Sequence, residues 1–538
     1  MRGQWMAAAL AAALVIVVAV PPVQGKIPGY WDTTLEVIKG KGREPLLIDY
    51  GGSLWCIYQY RTELRDVGMD QPGRRSDIYY SILNASVGNG PARTGNVSDW
   101  STPVSLVPGS QDVNGHGVHG PYASVYKGKL YVTMEAVEPS IKDDDAKMDY
   151  DIILRVFDGS FWDPPLEQPA RVISERNDVN VSDTECRSIT FRETLHFVWD
   201  QVPVDEQAGS TPRLHTRDIV YRTYDGAAWG SPSVAAAGNG SVLGVPSVAV
   251  YKDRLWVSFQ TNTSEGDDMD ILVISWDGAS WSAPGRVNPA VEGSPLKRQN
   301  MNARLAVLGD RLYCAWQSAD AIAKSGRDYD ILVSSTDGAS GWSEPFEVNP
   351  PGDSDAAATT GQDKAPDIKA WNGSLHIAWA SNNTRINDGG EDYDIMLRSF
   401  DGTAWGPMIQ VSPAGDNGTI AGDHNRGDDE TPRLHSWNGS LYCTWISYDQ
   451  EGVGHKGGNP SVIARRVRGP DPGTPGDDFP GTGSGGTGPS QQFPWAVAGV
   501  LVVAAAVAAA AIVLWRPPRE DAPGCGRTEK DNSRKGKD

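Results

Sequence analysis

Three stretches of the chain share one plan: DMDILVISWDGASWSAPGRVNP from Asp268, RDYDILVSSTDGASGWSEPFEVNP from Arg327 and EDYDIMLRSFDGTAWGPMIQVSP from Glu391. Each has an acidic step, an apolar strand, an Asp-Gly turn, a tryptophan and a last strand. A unit that cannot bury its apolar face alone must stack on copies of itself, so a repeat architecture is the first constraint. Anchoring on the Asp before the apolar strand gives six copies, at Asp77, Asp151, Asp218, Asp270, Asp330 and Asp394. The downstream tryptophans keep step at Trp100, Trp162, Trp229, Trp281, Trp342 and Trp405. Upstream of the Asp lies a hairpin such as IKAWNGSLHIAWA or RLHSWNGSLYCTWIS, two alternating strands about a turn. Four strands per unit, A to D, describe a propeller blade. Solenoid units are shorter and lack the four alternating strands.

A seventh unit is incomplete. PRLHSWNGSLYCTWISYDQEGVGHKGGNPSVIARRV supplies strands A, B and C but no D. The missing strand is at the other end of the chain, where YWDTTLEVIKG (30–40) matches the Trp-led D strand AWGPMIQVSP. The sequence therefore predicts an all-β, seven-bladed β-propeller over residues 26–468. An N-terminal strand completes the last blade, so no sheet edge is left open between the ends.

Five Asp-Gly pairs, at 158/159, 225/226, 277/278, 337/338 and 401/402, fall where strand C turns into strand D. Asp-Gly suits a tight hairpin with positive φ. SFDGTAW and SWDGASW resemble Asp boxes, the Ser-x-Asp-x-Gly-x-x-Trp hairpins of sialidase-type propellers. They lack one residue between Asp and Gly, and STDGASGW carries its extra residue after the Gly instead. The resemblance covers the blade architecture and implies a propeller. It implies little about activity, because Asp boxes in that family are structural and lie away from the catalytic face. Features repeated around a ring are wall, and function belongs where the repeats disagree.

The ends have other roles. Residues 1–25 combine an early Arg2, an apolar run from Met6 to Val20 and small residues near Gly25, the pattern of a secretory signal peptide. Residues 469–494 are a Pro/Gly/Ser/Thr-rich stalk with a reach of roughly 30 Å. Trp495–Trp515 is an uncharged apolar run with a Trp at each end, long enough for a transmembrane helix. The basic tail, 516–538, is then cytoplasmic by the positive-inside rule, with the propeller extracellular on a single-pass membrane protein. Nine glycosylation sequons, at Asn84, Asn96, Asn180, Asn239, Asn262, Asn372, Asn382, Asn417 and Asn438, all precede the span and agree with export. The formal net charge of −20 argues against nucleic acid and anionic lipid as partners.

A–B and C–D turns share one face and are short here. B–C and D–A connections share the other and are long, as in QYRTELRDVGMDQPGRRSD and DQVPVDEQAGSTPRLHTRD. Long loops on a rigid scaffold commonly carry binding, and this face points away from the stalk. The resemblance implies, for an enzyme, three arginines converging on a carboxylate, a Tyr activated by a Glu and an acidic proton donor. Arg187, Arg304 and Arg433 fall early in A strands, as such arginines would. No Arg-Ile-Pro signature lies near the first blade and no late Tyr stands out, and arginines early in A strands more often neutralise acidic loops.

GDHNRGDDETP (422–432) gathers Asp423, Asn425, Asp428, Asp429 and Glu430, oxygen donors of the kind Ca²⁺ takes, although no EF-hand flanks them. His116, His119, His215, His424 and His455 occupy long-loop segments without a third ligand set by spacing. Trp199, Trp316, Trp379 and Trp445 share a strand-B position with Tyr58, Met134 and Phe259, which marks them as core. Cys56, Cys314 and Cys443 stand where other blades carry Val, Phe or Ile, so they are small buried hydrophobes and no disulfide framework follows.

The leading expectation is non-catalytic recognition of a surface glycan or extracellular protein by the long-loop face. The alternatives are an exo-acting, sialidase-like glycan hydrolase or lyase, and a structural envelope component. Convergent charges in a deep central pocket would favour the enzyme; a shallow, solvated mouth would favour binding.

Overall fold

The computed structural model describes residues 35–38, 42–63, 74–83, 100–107, 117–137, 150–174, 181–203, 217–239, 241–262, 269–289, 299–319, 328–349, 361–383, 392–412, 427–448 and 461–467. These form seven antiparallel sheets arranged as a β-propeller. The innermost A strands are Gly42–Tyr50, Val118–Tyr126, Val181–Phe191, Val242–Tyr251, Asn300–Leu308, Asp363–Trp371 and Asp429–Trp437. Blade seven takes its outer strand from the N-terminus: Leu35–Ile38 pairs with Ser461–Val467, Leu35 opposite Ala464. Closure is therefore as the sequence predicts. Blade two departs from four strands, because its outer strand is in two pieces, Trp162–Asp163 and Arg171–Val172, both paired with Tyr150–Phe157.

There is no single central core. Apolar side chains gather in seven clusters, each built from two neighbouring blades and including the one where blade seven meets blade one. Trp199, Trp316, Trp379 and Trp445 are completely buried, with Tyr58, Met134 and Phe259 at the equivalent positions. Three of the indoles donate Nε1 to the head of their own A strand: Trp199 to Asp183, Trp316 to Asn300 and Trp379 to Asp363. Such partners remove the cost of a buried, unbonded N–H. Cys56, Cys186, Cys314 and Cys443 are buried free thiols.

The acidic step is a clamp between strands C and D. Ser174, Asn288, Asn349 and Ser412 close the D strands, and each donates to the Asp that heads its C strand: Asp151, Asp270, Asp330 and Asp394. The same four side chains accept from the next backbone amide, at Ile152, Ile271, Ile331 and Ile395. The Asp-Gly turns are equally regular. In each, one Asp oxygen accepts from the amides two and three residues on, at 2.7–2.9 Å, from Asp158 round to Asp401. The following glycines have φ between 81° and 102°, a backbone region that side-chain-bearing residues avoid.

The expected signal peptide, stalk, transmembrane span and tail lie outside the described residues, as do most long loops. Among the described residues no helix is long and apolar enough to cross a membrane.

Candidate functional site

Each A strand carries a bulge near its start, between Arg43 and Leu46, His119 and Tyr122, Thr184 and Arg187, Gly244 and Ser247, Met301 and Arg304, Lys364 and Asp367, and Glu430 and Arg433. The first inserted residue is left-handed in all seven: Glu44, Gly120, Glu185, Val245, Asn302, Ala365 and Thr431, with φ from 48° to 57°. Only one is glycine, and Val245 and Thr431 are β-branched, for which this conformation is strained. The next residue is Pro45, Pro121, Cys186, Pro246, Ala303, Pro366 or Pro432. Proline inside an inner strand signals a bulge, and these five prolines are a sequence signal left unused above.

The bulges surround a central cavity of about 750 Å³ whose lining draws on all seven A strands. It contains Arg187, Arg304 and Arg433, so the three arginines singled out in the sequence do converge. They sit at the same place in blades three, five and seven, and each Nη1 donates to the preceding carbonyl, of Cys186, Ala303 and Pro432, at 2.9–3.1 Å. Arg187 also pairs with Glu185 at 2.7 Å and lies over the Tyr122 ring. Among the described residues neither Arg304 nor Arg433 has a carboxylate ion-pair partner within salt-bridge distance. Burial, followed by repulsion from Arg433 and Arg187, brings the Arg304 pKa down to about 9. Asp367 stands in blade six between them, its carboxylate accepting from the Leu434 amide at 2.6 Å.

A carboxylate sector faces blades one to three. Glu44 accepts from the Gly120 amide at 3.0 Å, and Glu135 from the Glu185 amide at 2.7 Å. Burial raises Glu44, and burial together with the Glu185 charge raises Glu135 to about 8. Burial would raise Glu185 as well, but Arg187 and then Arg304 overcome it and hold Glu185 below the ordinary range. Glu44 and Glu185 line the cavity, whereas Glu135 stands behind them. Burial pushes the Tyr122 phenol up, and no described carboxylate hydrogen-bonds its hydroxyl.

Other expected residues fall elsewhere. Asp423 and Asn425 lie outside the described residues. Asp428, Asp429 and Glu430 head the blade-seven A strand, with Asp429 completely buried and Glu430 paired with Lys364 at 3.3 Å. Among the described residues no group of three or more His, Cys, Asp or Glu is disposed to hold a metal ion. His119 contacts Gln59, while His116, His215, His424 and His455 lie outside the described residues. Of the sequons, Asn239, Asn372 and Asn438 are exposed and Asn262 is partly buried. Asn382 is 6% exposed in the folded domain, with its Oδ1 accepting from the Gln362 amide. Asn84, Asn96, Asn180 and Asn417 are outside the described residues. Glu44, Tyr122, Glu135, Glu185, Asp367 and Thr431 were not singled out by sequence, because only the ring brings them together.

No family model matches the sequence, and no curated protein matches it. Solved structures do. The chain is a seven-bladed propeller by its own strand pairing, and the solved structures that align with it include sialidases and glycoside hydrolases of low similarity. One is Trypanosoma rangeli sialidase in complex with sialic acid, at 12% identity and TM-score 0.39, over 69% of this chain and 56% of that one. Another is α-L-arabinofuranosidase from Lactobacillus brevis, at 15% identity and TM-score 0.32, over 55% and 94%. A thermostable family-43 glycoside hydrolase aligns at 12% identity and TM-score 0.31, over 58% and 100%. The chain thus spans about half the length of the sialidase. Likeness of this extent says nothing of activity, and the seven-bladed architecture stands on the strand pairing itself.

Proposed function

We propose that this propeller recognises an acidic ligand, a carboxylate-bearing sugar of a surface glycan, in its central funnel without cleaving it. The reading rests on the three arginines, locked in one conformation by their own strand carbonyls, two of them without a carboxylate partner. Fixed cations that repel each other in a partly dry cavity are costly when the cavity is empty, and an anion relieves that cost. An acidic protein with an arginine sector in its funnel also selects by charge, since its outer surface repels the anions that this sector attracts. Display on a membrane stalk, with the long loops as an outer rim, is part of the same proposal.

Hydrolysis is the second reading, favoured by Glu135 and Glu185, neighbouring carboxylates pushed in opposite directions as an acid and a base would be. Against it, Glu135 is not among the residues that line the cavity, and no described carboxylate hydrogen-bonds the Tyr122 hydroxyl. The test is calorimetric titration of the full chain with N-acetylneuraminate and glucuronate, with glucose as the uncharged control, and mass spectrometry of an acidic oligosaccharide pool. Binding of the acids alone, with the pool intact, supports recognition. New cleavage products would replace it with hydrolysis, and equal indifference to acid and neutral sugars would remove the funnel as the site.

A further inference from the structure

Neighbouring blades are joined near the starts of their A strands by two kinds of bond. In the first, a strand-B side chain caps the left-handed amide of the next blade: Glu135 accepts from Glu185, Gln260 from Asn302 at 3.1 Å and Gln317 from Ala365 at 2.8 Å. The second is made by the residue that heads the A strand, two places before that amide. In blade five this is Asn300. Its Oδ1 accepts from Trp316 and Ser318 of its own strand B, and its Nδ2 donates to the Met269 carbonyl of blade four at 3.1 Å. The side-chain amide thus spends its acceptor inside the blade and its donor across the boundary.

Blade six has Asp363 at this place. Its Oδ1 accepts from Trp379 at 2.6 Å, as Asn300 does from Trp316, and Ser381 stands opposite it as Ser318 stands opposite Asn300. Its Oδ2 then falls where Asn300 carries its amide nitrogen, and this oxygen is buried with no hydrogen-bond partner. Blade three also has an aspartate there, Asp183, but Gln201 gives that one a second N–H at 3.0 Å. Across the boundary from Asp363 lie Asp328 and Asp330 of blade five, 3% and 0% exposed. They flank Tyr329, whose carbonyl accepts from the Asp363 backbone amide at 2.8 Å. Lys364, next on the strand, is turned to Glu430 of blade seven at 3.3 Å. Burial lifts the Asp363 carboxyl well above the ordinary carboxylate range; the Ser381 and Trp379 donors oppose this, and Asp330 and Asp328 add to it. A bare carboxylate oxygen buried beside two more carboxylates is costly, whereas the same oxygen carrying a proton is a donor, as Asn300 Nδ2 is.

We propose that the folded protein holds Asp363 as the neutral acid, an asparagine mimic whose proton serves the boundary between blades five and six, so that this boundary is a proton-dependent latch. The latch lies two residues from Ala365 and four from Asp367, both of which line the funnel, so its ionisation acts on the blade-six wall. Below pH 3.8 folded and unfolded chains both keep the proton and the stabilisation is complete; it is lost as pH climbs through the raised pKa of the folded group. Asp363→Asn keeps the shape and the donor and removes the titration. In chemical denaturation of the full chain, the unfolding constant of the wild type relative to that of Asp363→Asn should grow about tenfold per pH unit between about pH 5 and 7, the linkage of one proton. The infrared difference spectrum between the two at neutral pH should show the carbonyl stretch of a protonated carboxyl. Asn300→Asp should bring the same pH dependence to the boundary of blades four and five. A ratio that does not change with pH, or a difference spectrum with carboxylate stretches alone, overturns the latch. So does a melting temperature that calcium chloride raises in the wild type and leaves unchanged in Asp363→Asn, because the oxygens would then share a cation instead of a proton. If Asp363→Asn does not fold, Asn300→Asp decides: new pH dependence, or folding in acid alone, supports the latch, and stability that follows the wild type at every pH overturns it.

Discussion

The C–D turns and the A-strand bulges both recur around the ring, yet they recur differently. In the turns backbone and side chain repeat together: an Asp, a left-handed Gly and two amides bonded to one carboxylate oxygen, five times over. In the bulges only the backbone repeats. The seven left-handed positions carry Glu, Gly, Glu, Val, Asn, Ala and Thr, and the residues two further on include three arginines, an aspartate and a tyrosine. A turn that keeps its side chains is held by local geometry. A bulge that keeps its backbone and varies its side chains is a mount, aiming whatever residue it carries at the channel.

That contrast makes equivalent substitutions behave alike in the wall and unlike in the funnel. The largest effect is expected from the strand-B tryptophans, where Trp316→Ala and Trp379→Ala should each cost about 3–5 kcal/mol in chemical denaturation. Because both positions are completely buried and bonded to an A-strand head, their losses should be similar. A large disparity would break the equivalence of the blades. Arg304→Ala should do the reverse, weakening sugar-acid binding about 30-fold or more while leaving the melting temperature unchanged or higher. The sign follows from its lowered pKa: burial and the neighbouring Arg433 and Arg187 disfavour the cation in the folded protein, so removing it relieves a cost.

The two regions should also differ in pH response. Glu135 is raised from 4.5 to about 8, so its stabilising contribution is complete below pH 4.5 and lost as pH climbs through 8. Glu135→Gln keeps the acceptor that Gln260 and Gln317 provide, and should flatten this limb and gain about 1–3 kcal/mol at pH 8. The turn aspartates run the other way. Backbone amides hold Asp158, Asp225, Asp277, Asp337 and Asp401 below the ordinary range, so their contribution is present above pH 3.8 and lost as acid protonates them. Melting temperature against pH, for wild type and Glu135→Gln, separates the two limbs. The smallest effect belongs to Asp337→Ala, one exposed turn of five, which should lower the melting midpoint far less than either tryptophan change and match Asp277→Ala.

The wall could be read from the sequence because its signals are local. Asp, strand, Asp-Gly and Trp lie within about twenty residues of each other, and the missing seventh D strand was visible as a gap. The buried tryptophans and cysteines followed by comparing equivalent positions. The funnel was only partly legible. Arg187, Arg304 and Arg433 could be picked out by their place in strand A, but whether they met partners or each other depended on closure of the ring. The caps lie some 40 to 50 residues from the amides they serve, across a blade boundary, and no periodicity marks them. The acidic step was noticed as a repeat, yet its clamp role needs the Asn or Ser that follows the D strand nearly twenty residues later.

Closure by Leu35–Ile38 has a consequence during synthesis. The strand is made before its partner, and Ser461–Val467 emerges roughly 430 residues later. At about 5–20 residues per second the ribosome leaves that first strand waiting roughly 20–90 seconds. Blade one meanwhile lacks a neighbour on one side, and Val37, which is buried in the closed ring, lacks the blade-seven members of its cluster, Trp437, Tyr442, Val462 and Ala464. For this chain the hazardous interval is birth rather than maturity, with a free strand and a bare blade face open to other nascent chains until the last blade arrives.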